Sequence, residues 1–287
     1  MTIPNLATLL PQASVEISSG GHQVGELSDH FAKGIDVTIT FLPGENYRHN
    51  VETAAALRRA GFNPVPHIAA RELHSYEALG DFLSRARGEA AVTRILLIAG
   101  DVAAARGPFK SSLDAAASGL IETHGIESVS VAGHPEGHPF LDDGHAFDNL
   151  AAWRAWSARS GVAVNAVTQF CFESAPILSW LGELRARGID LPVIVGLAGP
   201  ATLATLTKFG LRCGIGNSMR ALRGQIGRFG RLLTDTGPDD VVRGLYAASP
   251  ASTASIAGFH LFPFGGLRKS ANWLHDFHSD QPAVSAR

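Results

Sequence analysis

Short apolar, β-branched runs recur along the chain, with stretches of helical periodicity between them. The strand-like runs are ASVEISS (13–19), GIDVTIT (34–40), PVPHIA (64–69), RILLIAG (94–100), SVSVAG (128–133), AVNAVTQF (163–170), LPVIVGLAG (191–199) and GFHLFPF (258–264). Between them lie ENYRHNVETAAALRRAG, SYEALGDFLSRARG, SSLDAAASGLIETHG, GHAFDNLAAWRAWSARSG and SAPILSWLGELRARG. These carry Ala, Leu and Arg at helical spacing and stop at a glycine, the residue that ends helices with least steric cost. The strand runs read as continuously apolar, which is how strands covered on both faces of a parallel sheet read.

Eight strands alternating with helices in 287 residues predict an α/β fold, the (β/α)8 or TIM barrel, as a single domain over 1–287. The competitor is a doubly wound open sheet, which the lack of a GxGxxG after the first strand weakens. The stretch 200–257 is too long for one connection. It is predicted to hold two or three helices, including SMRALRGQIGRFGRLL (218–233) and PDDVVRGLYAA (238–248).

Composition narrows the partners. Hydrophobic residues make up 45%, charged residues 17%, and the formal net charge is −2. No strong field is present to attract nucleic acid or an anionic membrane. The two cysteines, Cys171 and Cys213, form no CxxC pair, which argues against a disulfide framework or zinc ribbon. The N-terminal MTIPNLATLLPQASVE lacks the basic and apolar regions of a secretory signal, and the apolar runs are too short to span a bilayer. The expected location is the cytoplasm.

A parallel barrel keeps its chemistry at the carboxyl ends of the strands. The polar residues on or just after the predicted strands are Glu16, Thr40, His67, Asp101 after Gly100, the segment VSVAGHPEGHP (129–139), Gln169 and His260. Each has a bland alternative: a buried ion pair for Glu16, a helix cap for Asp101, a satisfied carbonyl for Gln169, core histidines for His67 and His260. In the 129–139 segment, His134, Glu136 and His138 alternate with Pro135, Gly137 and Pro139. A metal site, a cofactor grip and a plain turn are all open, although the spacing is not the HExxH of helical zinc sites and no metal is expected.

Taken together, VEIS, TITF followed by RHN, VPHI, ILLIAGD, VSVAGHPEGHP, DNL and VTQFCFE resemble the methylenetetrahydrofolate reductase family, in the family's order from about residue 14 to 175. The resemblance implies an oxidoreductase of one-carbon metabolism, of the kind that methionine biosynthesis draws on. It would reduce 5,10-methylenetetrahydrofolate to 5-methyltetrahydrofolate with NAD(P)H, and its partner would be the small-molecule folate substrate. Glu16 falls at the family's general acid. Asp101 falls at an aspartate facing pterin and hydride carrier, and Gln169 and Phe170 of TQF at substrate-binding positions. Thr40, His67, Gly100, His134, His138 and Asn149 fall at positions of the flavin site.

The chain also departs from the family. Ala99 stands where an arginine precedes GD, and Ala151, Ala152 and Trp153 stand where basic residues meet the FAD diphosphate, with Arg154 one position late. A diphosphate without cationic partners or a run of amides loses much of its binding energy, which puts FAD, the family's cofactor, in doubt and opens direct hydride transfer from the nicotinamide beside it. Arg220, Arg223 and Arg268 are candidates for the folate's glutamate tail by charge alone. Two rival readings remain. One is a phosphate-binding barrel lyase using GLAGP (196–200) and the glycines at 214 and 216. The other is a non-catalytic tetrahydrofolate-binding subunit of a methyl-transfer system. The lysines at 208 and 269 lie in predicted helices or loops, not at strand ends, which argues against a Schiff-base aldolase.

Overall fold

The computed structural model describes residues 6–41, 44–100, 102–138, 143–212 and 235–279. Eight strands close into a parallel barrel: β1 (Ser14–Ile17), β2 (Asp36–Ile39), β3 (Asn63–Ala69), β4 (Arg94–Ile98), β5 (Ser128–Gly133), β6 (Ala163–Thr168), β7 (Val193–Ala198) and, last in the chain, β10 (Ile256–Phe262). Two short strands, β8 (Ala201–Thr202) and β9 (Asp235–Thr236), pair antiparallel outside it. The barrel order is β1-β10-β7-β6-β5-β4-β3-β2. All eight runs marked by apolar content are its staves.

By packing, the chain sorts into two compact units: Ser14–Ala132 with Asp148–Val167, and Met1–Ala13 with Gly133–Phe147 and Thr168–Arg287. In the first, burial alternates along the staves, residue by residue, on β1 and on β5. Val15, Ile17, Val129 and Val131 are buried, whereas Glu16 and Ser130 on the opposite face keep partial exposure. SVEI and SVSVAG therefore carry a period-2 signal that the expectation of continuous apolar strands overlooked. Register extends the shared face: Glu16 pairs with Thr38, Thr38 with Val65, His67 with Leu96, and Leu96 with Ser130.

Helix boundaries follow their caps. The Asn46 side chain accepts the Arg48 N–H at 3.0 Å ahead of the helix Tyr47–Arg59, and Ser75 accepts the Ala78 N–H at 3.2 Å ahead of Tyr76–Ala90. The run 111–125, read as one helix, divides into Ser112–Ala116 and Leu120–Thr123. Gly119 sits between them at φ +74°, a conformation that cannot continue a helix.

In the second unit the helix expected near 238–248 is present as Asp239–Ala247. A helix Leu203–Arg212, not singled out from the sequence, precedes it. The helix expected over 218–233 lies outside the described residues. Phe170 centres the unit's aromatic core, with ring centroids 5.6 Å from Phe172, 5.6 Å from Phe262 and 4.8 Å from Phe264.

Candidate functional site

On β1, Val15 and Ile17 turn one way into apolar packing, so Glu16 turns the other. That puts it on the face shared with Thr38 and, one pleat along β3 from Val65, with His67. Glu16 Oε2 lies 3.7 Å from His67 Nε2, with side chains 20% and 10% exposed. That separation is a contact, longer than a hydrogen bond. His67 Nε2 and Thr38 Oγ1 are buried and without a hydrogen-bond partner among the described residues.

Burial sets the protonation states here. It raises the Glu16 carboxyl to about 7 and lowers the His67 imidazole to about 4, because an ion loses hydration that nothing replaces. At neutral pH His67 is uncharged and the Glu16 carboxyl is poised between acid and carboxylate. The partner beside Glu16 is thus a histidine that stays neutral, so no buried ion pair forms there.

The turn after β1 is held by side chains that no sequence motif marks. Gln23 Oε1 accepts from Ser18 N–H at 2.9 Å and Ser18 Oγ at 2.8 Å, and Thr53 Oγ1 accepts from Gly20 N–H at 2.9 Å. Thr40 donates its N–H to the Ile17 carbonyl at 2.9 Å and its hydroxyl to the same oxygen at 3.3 Å. Asn50, from the RHN triplet, donates to the Thr40 carbonyl at 3.2 Å from a fully buried position.

Asp101 lies outside the described residues. Its neighbour Gly100 has φ +90°, and a Cβ there would come within 3.1 Å of Ala69 Cβ. Both facts require glycine for packing, independently of any cofactor. The segment beyond is fixed to the turn after β3: Arg71 N–H donates to the Ala99 carbonyl at 2.9 Å, and Arg106 pairs with the buried Glu72 at 2.9 Å. Glu72 and Arg106 stand 34 positions apart, so no local pattern could have linked them.

In the other unit, the histidine segment after β5 is a turn. Gly137 N–H donates to the His134 carbonyl at 3.0 Å, with Pro135 and Glu136 at the corner. The His134 and His138 rings meet edge-on with centroids 4.7 Å apart. Burial, helped by the charge of His138, lowers His134 to about 4. Burial, then the Glu136 carboxylate, pushes the Cys171 thiol up, so it stays protonated. Gly133 is a packing requirement, since a Cβ would fall 2.8 Å from Trp180 Cη2. Among the described residues no group of three or more His, Cys, Asp or Glu side chains is placed to hold a metal.

Gln169 donates its N–H to the Gly133 carbonyl at 2.8 Å, and its side-chain oxygen accepts the Phe170 N–H at 3.1 Å. Phe170 is 1% exposed, a core side chain. Asn149 is half-buried on the helix Asp143–Ser160. Ala151 and Ala152 on that helix are exposed, while Trp153 is fully buried and meets Trp156 edge-on at 5.3 Å. Where a flavin diphosphate needs cations, positions 151–153 offer two methyl groups and a core indole, with the exposed Arg154 one residue further on. Ala151, Ala152 and Trp153 do not fit that group.

The glycines offered as a phosphate cradle serve packing. A Cβ at Gly196 would lie 2.2 Å from the Thr168 carbonyl oxygen, and one at Gly199 would lie 2.5 Å from Ser270 Oγ. Gly196 N–H is already bonded to Thr168 Oγ1 at 2.9 Å. Gly214, Gly216, Arg220 and Arg223 lie outside the described residues. Lys208 is on the helix Leu203–Arg212, Lys269 pairs with Asp235 at 2.7 Å, and Arg268 is exposed on the helix Leu267–Ser279.

No family model matches the chain. Solved structures do. An uncharacterized protein from Clostridium thermocellum that binds two copies of 5-methyl-5,6,7,8-tetrahydrofolic acid matches with TM-score 0.62 and 10% identity, over 94% of this chain and 95% of its own. Dihydropteroate synthase from Thermus thermophilus matches with TM-score 0.46 and 15% identity, over 94% of this chain and 93% of its own. A type I 3-dehydroquinate dehydratase from Clostridium difficile matches with TM-score 0.45 and 12% identity over the same shares, 94% and 93%. The likeness is one of fold. Among the described residues no helix is long and apolar enough to cross a membrane.

Proposed function

We propose that this chain binds a reduced folate, a tetrahydrofolate derivative, within its barrel, with the Glu16–His67 pair against the ring system. The observation that carries the reading is the pair itself: a carboxyl held near neutrality by burial, on the inner face of a barrel stave, 3.7 Å from an uncharged imidazole. A reduced pterin is uncharged, compact and dense in donors and acceptors. A site of neutral polar groups suits it better than one of fixed charges, which would cost more to desolvate. The motif resemblance and the fold shared with the tetrahydrofolate-binding Clostridium thermocellum protein point to the same ligand class.

A second reading goes further, and the protonation state of Glu16 favours it. In reduction of 5,10-methylenetetrahydrofolate, the bond between the bridging carbon and N10 breaks, N10 takes a proton, and the cation left at N5 accepts hydride to become the methyl group. An acid titrating near 7 is matched to that proton transfer, because it holds the proton at neutral pH and releases it readily. Hydride would come from NADH or NADPH, which leaves as the oxidised nicotinamide. Direct transfer needs no flavin, whose diphosphate would find no cation at Ala151, Ala152 or Trp153. Asp101 would stabilise the developing cation.

One experiment separates the readings. The protein is titrated with 5-methyltetrahydrofolate, then assayed for NADH or NADPH oxidation dependent on 5,10-methylenetetrahydrofolate. Saturable binding with turnover supports both readings, and binding without turnover leaves the folate-binding protein. No binding removes both.

A further inference from the structure

The inner wall of the first unit carries a second polar pair. Ser130 Oγ donates to Asn165 Oδ1 at 3.0 Å, joining the third residue of β5 to the third of β6. Ser130 lies in the strand portion of VSVAGHPEGHP and Asn165 in AVNAVTQF, and the family resemblance gives neither a role. Their neighbours, Val129, Val131, Val164 and Ala166, are buried on the opposite face, while Ser130 and Asn165 keep partial exposure in mid-strand. Mid-strand positions of a barrel are filled by packed side chains when nothing else occupies the interior. Partial exposure there means reachable space.

The pair belongs to the same arc of wall as Glu16 and His67. His67 pairs in register with Leu96, and Leu96 with Ser130, so all three project to one face. Neighbouring strands lie about 4.8 Å apart, so the arc from β3 to β5 spans about 10 Å. Leu96, 7% exposed, gives that arc an apolar centre. The result is a stretch of inner wall centred on Leu96, with a carboxyl and imidazole at one end and a hydroxyl and amide at the other. A fused two-ring heterocycle would meet polar groups at both ends of such a wall.

The orientation of the amide sets its role. With Oδ1 engaged by the Ser130 hydroxyl, the Asn165 NH2 faces away from its partner and donates to no described residue. A carboxamide fixed through its oxygen presents two donors in a set direction. We infer that Ser130 and Asn165 are a ligand-positioning pair, in which Ser130 orients the amide and Asn165 donates to an acceptor atom of the reduced pterin. This deepens the folate-binding reading and rests on it.

The test uses the full chain and two probes, 5-methyltetrahydrofolate and 6-methyltetrahydropterin, the latter carrying a ring without the benzoylglutamate tail. Asn165→Ala is expected to weaken both probes by the same factor, about five- to tenfold, the scale of one lost hydrogen bond. Ser130→Ala, which frees the amide to rotate, is expected to weaken both about two- to threefold, in the lower part of that range. Thermal unfolding of each variant should stay close to wild type. Wild-type protein that binds neither probe removes the functional reading itself. Wild-type protein that binds both, beside an Asn165→Ala variant that binds them as tightly, overturns the role of the pair alone. Should Asn165→Ala fail to fold, unchanged probe affinity in Ser130→Ala overturns it equally.

Discussion

Glu16 and His67 meet across an intervening strand. Their staves, β1 and β3, each pair with β2, yet the carboxyl and imidazole come within 3.7 Å over Thr38. Their burial shifts oppose each other, which makes the pair testable without any ligand. Glu16 is raised from 4.5 to about 7 on folding, so the native state holds more protons than the unfolded state in that window, and stability falls as pH rises through it. His67 is lowered from 6.5 to about 4, so the unfolded state holds more protons there, and stability rises with pH across that window.

In the wild type the two trends largely cancel between about pH 4.5 and 6.5. Glu16→Gln should expose the His67 trend, with unfolding temperature climbing as pH is raised from 4 to 6.5. His67→Gln should expose the opposite trend, with stability falling from pH 4.5 to 7. Each trend amounts to about 3 kcal/mol, the worth of a roughly 300-fold change in proton affinity on folding. Parallel pH profiles in all three proteins would contradict the burial argument.

Under the reductase reading, Glu16→Gln should keep folate affinity near wild type and lower turnover about 100-fold or more, the scale of a lost general acid. Steady-state NAD(P)H oxidation beside a binding titration checks this. Full activity in the variant would remove Glu16 from the chemistry.

Trp153 should prove to be a core residue. Its side chain is fully buried against Trp156, so Trp153→Ala should destabilise the fold by about 3–5 kcal/mol in chemical denaturation. A basic residue there would bring an unpaired charge into the core and could not serve a diphosphate. The purified protein should accordingly be colourless, and a flavin absorption band would contradict the cofactor assignment.

Gly196→Ala should destabilise by about 1–3 kcal/mol, because its Cβ would overlap the Thr168 carbonyl at 2.2 Å. Inorganic phosphate should leave the melting temperature of the wild type unchanged. Phosphate-dependent stabilisation that Gly196→Ala abolishes would restore the phosphate-barrel reading.

The staves were legible in the sequence because Val, Ile and Leu cluster in short runs bounded by turn residues, and that pattern survives any tertiary detail. Glu16 was legible because a carboxyl inside VEIS breaks an apolar run. The role of VSVAGHPEGHP was not legible, since whether alternating histidines close a turn or grip a ligand depends on how the segment packs, here with Trp180 against Gly133 and Cys171 beside Glu136. The link between Glu72 and Arg106, and the alignment of Ser130 with His67, exist only through strand register and loop docking. Neither leaves a local trace. The glycines at 133 and 196 advertise a need for space without saying whether a ligand or an indole ring fills it.

The most direct test of folate binding at Glu16 is calorimetric titration of 5-methyltetrahydrofolate into the wild type and Glu16→Gln at pH 7, in buffers of differing ionisation enthalpy. A carboxyl titrating near 7 must gain or lose a fraction of a proton when a ring covers it. Saturable binding to both proteins is expected, with a buffer-dependent heat in the wild type that vanishes in the variant. Absence of binding, or the same buffer dependence in both proteins, would contradict it.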